Sequence, residues 1–229
     1  MRTGVVLGVD LGTTATKVVA STVDGKRIGM AERGYPLHTD ARGAATQDPD
    51  VVVDAAVEAI AECAAACSSV GRTVRAISFS AAMHTLLALD ADHRPLTPAL
   101  SWADQRAADT ARALRADPAR AADLHRATGT PVHPMSPLVK LAHFAEHEPD
   151  LMRRAACWLG VKDYVVQRLT NRLVTDHSCA SGTGLMAMRT LDWYPPALAL
   201  AGINAAHLPE LLPPTEILPL AAHIDGLPT

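Results

Sequence analysis

Residues 5–25 read VVLGVDLGTTATKVVASTVDG. Apolar residues run up to Asp10, a glycine and two threonines follow shortly after, and β-branched residues resume beyond Lys17. This is the pattern of a strand, a tight turn and a second strand. Asp24-Gly25 then marks a second hairpin turn into KRIGMAERGYPL, so three consecutive antiparallel strands are expected. Asp10 falls where the first strand reaches the sheet edge, and its carboxylate can meet a hard cation there. Mg²⁺ takes one or two carboxylates and fills its remaining positions with phosphate oxygens and water. Gly12 allows a positive φ and lets an anion approach the backbone. Thr13 and Thr14 add hydroxyls, and successive turn N–H groups can form an anion-binding concavity. Lys17 adds charge only where strand alternation leaves it on that side. The plainer reading is a hairpin whose Asp and Thr residues satisfy their own backbone. A Walker-type loop is excluded, because this turn leads into a strand and not a helix.

The rest of the chain sets the frame. It has 229 residues, 48% of them hydrophobic and 20% charged, enough to bury the core of one large domain or two small ones. A net charge of -3 supplies no basic excess for nucleic acid or a membrane surface. The N-terminal apolar run is broken by Gly8 and Asp10, too short for a signal peptide or a membrane span. Cys63 and Cys67 lie four apart in an alanine-rich helical stretch, and neither they nor Cys157 and Cys179 show metal-ligand spacing. Four buried thiols in a reducing cytoplasm are expected.

Asp48-Pro49 reads as an N-cap with proline at the first helical position, opening a helix with apolar Val52, Ala56, Ile60, Cys63 and Cys67 on one face. VRAISFS follows as a buried strand and TLLALDAD as another. From about Ser101 the pattern becomes helical: ADQRAADTARALRA, AARAADLHRAT, SPLVKLAHFAEHEPDLMRRA and VKDYVVQRLTN. Short helices and turns are expected in the proline-rich WYPPALALAGINAAHLPELLPPTEILPL, and residues 221–229 read as a linker.

GVDLGTTATK resembles the first phosphate motif of the superfamily of actin, heat-shock ATPases and sugar kinases. That resemblance implies an α/β, ribonuclease-H-like fold, a mixed sheet flanked by helices with an inserted helical region, and ATP as ligand. Three further segments are similar to the FGGY carbohydrate kinases, in that family's order: QDPDVV at the helix start, Met83-His84 followed by the W-x-D-x-R of Trp102, Asp104 and Arg106, and TDHSCASGTGLMAMRTLDW. The resemblance implies that residues 83–84 and 102–106 line a polyol site. The residue types agree. Asp104 can accept from two hydroxyls, Arg106 and His84 can donate, and Trp102 offers an apolar wall to C–H faces; buried polar partners reject analogues that lack a hydroxyl. The bland alternatives are a satisfied core histidine, a core tryptophan and a local Asp–Arg pair.

HPMSPLVKL at 133–141 is similar to the gluconate-kinase branch. His133, Ser136, Lys140 and Arg106 could supply donors and positive charge to an aldonate carboxylate, whereas a solvated helix lysine and a surface histidine are the alternatives. The implied reaction is transfer of the γ-phosphoryl group of ATP, with Mg²⁺, to a primary hydroxyl, gluconate giving 6-phosphogluconate. A xylulokinase-like pentulose kinase is the rival, and a non-catalytic sugar-binding half-domain or a chaperone-type ATPase are the readings from other classes. The family's catalytic aspartate and adenosine-binding glycines lie in a second lobe. Residues 1–229 are therefore expected to be the N-terminal half of a longer cytoplasmic kinase, inactive alone, with a C-terminal ATP-binding domain as partner. The oligomeric state is left open, a homodimer included.

Overall fold

The computed structural model describes residues 4–227. The opening hairpins form as read: β1 (Gly4–Leu11), β2 (Ala15–Thr22) and β3 (Arg27–Gly34) pair antiparallel in succession. A short hairpin follows, β4 (His38–Thr39) with β5 (Ala45–Gln47), and leads into α1 (Pro49–Ser69). The chain then returns as β6 (Thr73–Ala81), parallel to β1, giving a mixed sheet of order β3-β2-β1-β6. The Asp48 side chain accepts from the N–H groups of Asp50 at 3.0 Å and Val51 at 3.4 Å, which caps α1 ahead of Pro49. Asp48→Ala is expected to cost about 1 kcal/mol and to lower the thermal midpoint by roughly 2–4 °C, read by circular dichroism. No change would show that solvent caps this helix equally well.

Helix α1 covers one face of the sheet. Val5, Leu7, Val9, Leu11, Val18 and Ala20 point into that layer with Val52, Ala56, Ile60, Cys63 and Cys67. The other face stays open, so β1 and β6 alternate instead of being buried throughout. Gly8, Asp10, Ser78 and Ser80 are exposed, which corrects the expectation of fully buried strands. Beyond β6 come β7 (Leu87–Leu89) and β8 (Ala99–Leu100), the latter pairing with β5. Then the inserted helices follow: α2 (Ala108–Arg115), α3 (Pro118–Thr128), α4 (Pro137–His147) and α5 (Pro149–Arg154). The segment expected as one helix over 136–155 is two, because Pro149 lacks the N–H that would continue α4. The chain re-enters the fold as β9 (Cys157–Leu159), antiparallel to β7, and α6 (Val161–Thr170), whose Val161, Tyr164, Val165 and Leu169 complete the first core.

A second core gathers around α4. Leu138, Val139, Leu141 and Phe144 pack there with Leu86, Leu100, Leu124, Trp158, Leu185 and Leu198. The final third holds β10 (Val174–Asp176), α7 (His177–Ser181), the pair β11 (Met186–Ala187) and β12 (Asp192–Trp193), α8 (Pro195–Ala201) and β13 (Glu210–Leu212). Residues 221–227 contain no strand, yet they return to the first core: Ile224 is buried there, and the N–H groups of Ala221 and Ala222 donate to the Leu169 carbonyl. Pro228 and Thr229, the end of the expected linker, lie outside the described residues. All four cysteines are free thiols, three of them buried and Cys179 half-buried.

Candidate active site

The turn between β1 and β2 is held from behind. The Gly12 N–H donates to the Ala15 carbonyl at 3.0 Å. The Tyr35 hydroxyl donates to the Gly12 carbonyl at 2.8 Å, and the Gln47 amide donates to the Thr13 carbonyl at 2.8 Å. With those carbonyls tied inward, the Thr14 side chain stands exposed and that of Thr13 half-exposed. The φ of Gly12 is not positive, so the expected reason for glycine is corrected. A Cβ there would lie 2.8 Å from the Ala15 carbonyl oxygen, closer than backbone tolerates. Close approach, not handedness, demands the glycine. Neither Tyr35 nor Gln47 was singled out by the sequence as a site residue, because each reaches the turn from a distant point in the chain.

Asp10 ends the open face of β1, paired across the sheet with Lys17 of β2 and with Ser80 of β6. Lys17 therefore shares the carboxylate's face, and its ammonium also lies 3.8 Å from Glu32. One exposed carboxylate beside the Ser80 hydroxyl and the Thr13-Thr14 turn is a donor set that fits Mg²⁺ carried in with phosphate oxygens and water.

The second constellation meets the first through Trp102. Its indole N–H donates to the Thr13 hydroxyl at 3.0 Å, and the ring is 50% exposed, so it is no core residue. Asp104 and Arg106 behave differently from a free acceptor and donor. Asp104 is 1% exposed; its carboxylate accepts from the Ala45 N–H at 3.1 Å, from the Arg106 backbone N–H at 3.2 Å, and from the Arg106 guanidinium at 2.8 Å. The pair staples the W-x-D-x-R turn to β5. Arg106 keeps part of its guanidinium at the surface, its side chain 29% exposed.

His84 sits in the left-handed region at φ 65, beside the exposed Met83. Its Nδ1 lies 2.8 Å from the Gly182 carbonyl. A carbonyl only accepts, so Nδ1 carries the proton, and the neutral ring is left with Nε2 as an acceptor. Burial holds this imidazole below its ordinary range, with the charges of Lys140 and His133 adding and the Gly182 bond opposing. A Cβ on Gly182 would meet the terminal methyl of the Met83 side chain, so the two residues pack directly against each other. Asp176 caps α7 just upstream, accepting from the Cys179 N–H at 3.0 Å. Lys162 anchors that cap, its ammonium 2.6 Å from both Asp163 and Asp176.

Ser136 is buried, and its hydroxyl donates to the His133 carbonyl at 3.0 Å, bracing the loop that opens α4. The His133 side chain is exposed, and its Nδ1 accepts from the Met135 N–H at 3.2 Å. Lys140 is buried at 1% exposure, its ammonium bound by the carbonyls of His84 at 2.6 Å and Ser101 at 2.7 Å. These groups form an open shelf. A concavity of about 420 Å³ lies elsewhere, between Leu96-Thr97 and residues 147–154, and involves none of them.

Residues 5–222 match the N-terminal domain of the FGGY family of carbohydrate kinases. The chain belongs to that family. This FGGY domain is 37% identical over 215 residues to a gluconokinase of Bacillus subtilis, covering 94% of this chain and 41% of the relative. It is 32% identical over 226 residues to a xylulose kinase of the same species, covering 97% of this chain and 45% of the relative. In three dimensions it is similar to a gluconate kinase from Lactobacillus acidophilus, with a TM-score of 0.89 and 34% identity over 95% of this chain and 44% of that one. A ligand-bound xylulose kinase from that organism matches with a TM-score of 0.90 at the same identity and coverage. The FGGY chain thus spans less than half the length of these relatives. The likeness also shows the fold, that of the sugar kinases in the actin-like superfamily. Among the described residues no helix is long and apolar enough to cross a membrane.

Proposed function

We propose that this domain grips the acceptor sugar and the phosphate tail of MgATP for an ATP-dependent sugar kinase, with gluconate as acceptor and 6-phosphogluconate as product. The observation that carries the reading is the 3.0 Å bond from the Trp102 indole to the Thr13 hydroxyl, which joins the polyol segment to the phosphate turn. In-line transfer needs its donor and acceptor held next to each other, and catalysis by positioning follows from that. Thr13, Thr14 and the N–H groups of their turn take the phosphate side, Lys17 adds charge, and Asp10 holds the metal. When bound, Mg²⁺ neutralises charge on the transferring phosphoryl group. Trp102 and Met83 give the sugar an apolar wall. Neutral His84 accepts from a sugar hydroxyl through Nε2, Arg106 supplies charge toward a carboxylate, and the exposed His133 offers its Nε2–H as a donor. No residue of this chain is assigned as the base that takes the hydroxyl proton; the family resemblance implies an aspartate in a second lobe.

A pentulose such as xylulose is the second reading. One observation favours it: the Lys140 ammonium and the Asp104–Arg106 pair are engaged inside the protein, which leaves less free positive charge for an aldonate. Calorimetric titration of the chain with D-gluconate and D-xylulose tests both. Gluconate binding tighter by about tenfold, some 1.4 kcal/mol, is the expected result. The reverse order makes this a pentulose site, and no heat or thermal stabilisation with either sugar removes the sugar reading.

A further inference from the structure

Lys140 has the chemistry of a clip. It projects from α4 beneath two separate loops, and its nitrogen lies within hydrogen-bond reach of one carbonyl in each. One carbonyl belongs to His84, the residue with φ 65; the other belongs to Ser101, which directly precedes Trp102. Neither carbonyl is an incidental acceptor. The Ser101 carbonyl also accepts from the Asp104 N–H at 3.2 Å, and β8 continues into this turn. His84 is held a second time through its ring by Gly182. At 1% exposure, the amine cannot be reached by a sugar without displacing protein.

We propose that Lys140 is a positioning residue of the sugar shelf: its side-chain nitrogen clips the His84 and Ser101 carbonyls together, sets the spacing between His84 and Trp102, and does not touch the sugar. The sugar-affinity part rests on the function proposed above; the clip itself does not. Burial pulls the ammonium down to about 7, with Asp104 opposing and Arg106 adding. The clip survives that change. An ammonium has three N–H donors and a neutral amine two, which is the number of carbonyls to satisfy. The bond to Ser101 is buried and the bond to His84 part-buried, so loss of the donor is felt at both carbonyls. A residue that met a sugar carboxylate by charge would have no use for two backbone acceptors at 2.6 and 2.7 Å.

The test uses the Lys140→Met and Lys140→Arg variants of this chain, followed by nuclear magnetic resonance. Two reporters need no sugar: exchange of the Trp102 indole N–H and titration of the His84 ring. In Lys140→Met the Trp102 signal is expected to exchange faster by about tenfold as the loop spacing relaxes, and the His84 pKa to rise as a neighbouring charge is lost. Affinities for D-gluconate and D-xylulose fall together, by about tenfold each, because both need the same spacing. Lys140→Arg, which keeps donors and charge, recovers part of the Trp102 protection. Unchanged Trp102 exchange with selective loss of gluconate affinity would overturn the proposal and make Lys140 a carboxylate ligand. Should Lys140→Met fail to fold, wild-type protein labelled with ¹⁵N-lysine decides: a Lys140 Nζ signal unmoved by saturating D-gluconate or D-xylulose supports the clip, and a signal displaced by either refutes it. If neither sugar binds the wild type, the sugar reading fails and the Trp102 and His84 signals decide the clip alone.

Discussion

Asp104→Ala is expected to lower the thermal midpoint by roughly 6–12 °C, the equivalent of about 3 kcal/mol in a domain of this size. The carboxylate is 1% exposed and accepts from the Ala45 N–H, the Arg106 N–H and the Arg106 guanidinium. Alanine leaves all three donors without their acceptor, and the guanidinium loses its counter-charge. Breaking a buried pair from one side costs about 3–5 kcal/mol, and we take the low end because the Arg106 side chain is 29% exposed and water can reach it. Asp104→Asn keeps an oxygen for the Ala45 N–H, but it removes the charge and sets an NH2 donor against the Arg106 N–H and guanidinium, so a shift smaller than that of alanine but in the same direction is expected. Calorimetric unfolding of the three proteins without sugar is the measurement. A midpoint within 2 °C of wild type for Asp104→Ala, combined with lost sugar affinity, would mean that the carboxylate faces the sugar and not the fold. Asp104→Ala therefore cannot serve alone as a probe of sugar binding, and the comparison with asparagine is needed.

Gly12→Val is expected to reduce phosphoryl transfer by about 100-fold or more in a form of the protein that turns over, with a thermal cost of only about 2 kcal/mol. The valine Cβ would sit 2.8 Å from the Ala15 carbonyl oxygen. Backbone is the obstacle, so the turn itself has to open. Opening it strains the bonds from Tyr35 and Gln47 to the Gly12 and Thr13 carbonyls. It also moves the Thr13 hydroxyl away from Trp102. Both sides of the proposed transfer are disturbed by one substitution. The decisive comparison is kcat/KM for MgATP and for the sugar, measured separately. A variant with unchanged ATP kinetics would show that this turn does not hold the phosphates.

The opening of the fold was legible because its determinants are local. The apolar run up to Asp10, the Asp24-Gly25 turn, and the Asp48-Pro49 start of α1 each act within a few residues, and each element forms where the pattern predicts. Which face of β6 is open was not legible: VRAISFS is the same string whether one layer of helix covers it or two. The helix boundary at Pro149 was readable in principle, since proline cannot donate to the preceding turn, but the apolar spacing runs across it.

The site divides in the same way. The residue types and the resemblance of their motifs to the family placed Thr13, His84 and Trp102 among the candidates, because a hydroxyl, an imidazole and an indole carry their chemistry in the side chain itself. What each polar group does depends on who stands opposite, and those partners lie far away in sequence. Gln47 reaches Thr13 across 34 positions, Lys140 reaches His84 across 56, and His84 reaches Gly182 across 98. A sequence states that Lys140 has donors; only packing decides that two carbonyls consume them and that water is shut out. By itself, then, the sequence determined the hairpins, the helix caps and the inventory of reactive groups, through short-range sterics and periodicity. The tertiary structure alone decided which of those groups are engaged inside the protein and which still face solvent, because burial and long-range hydrogen bonding are properties of the folded packing.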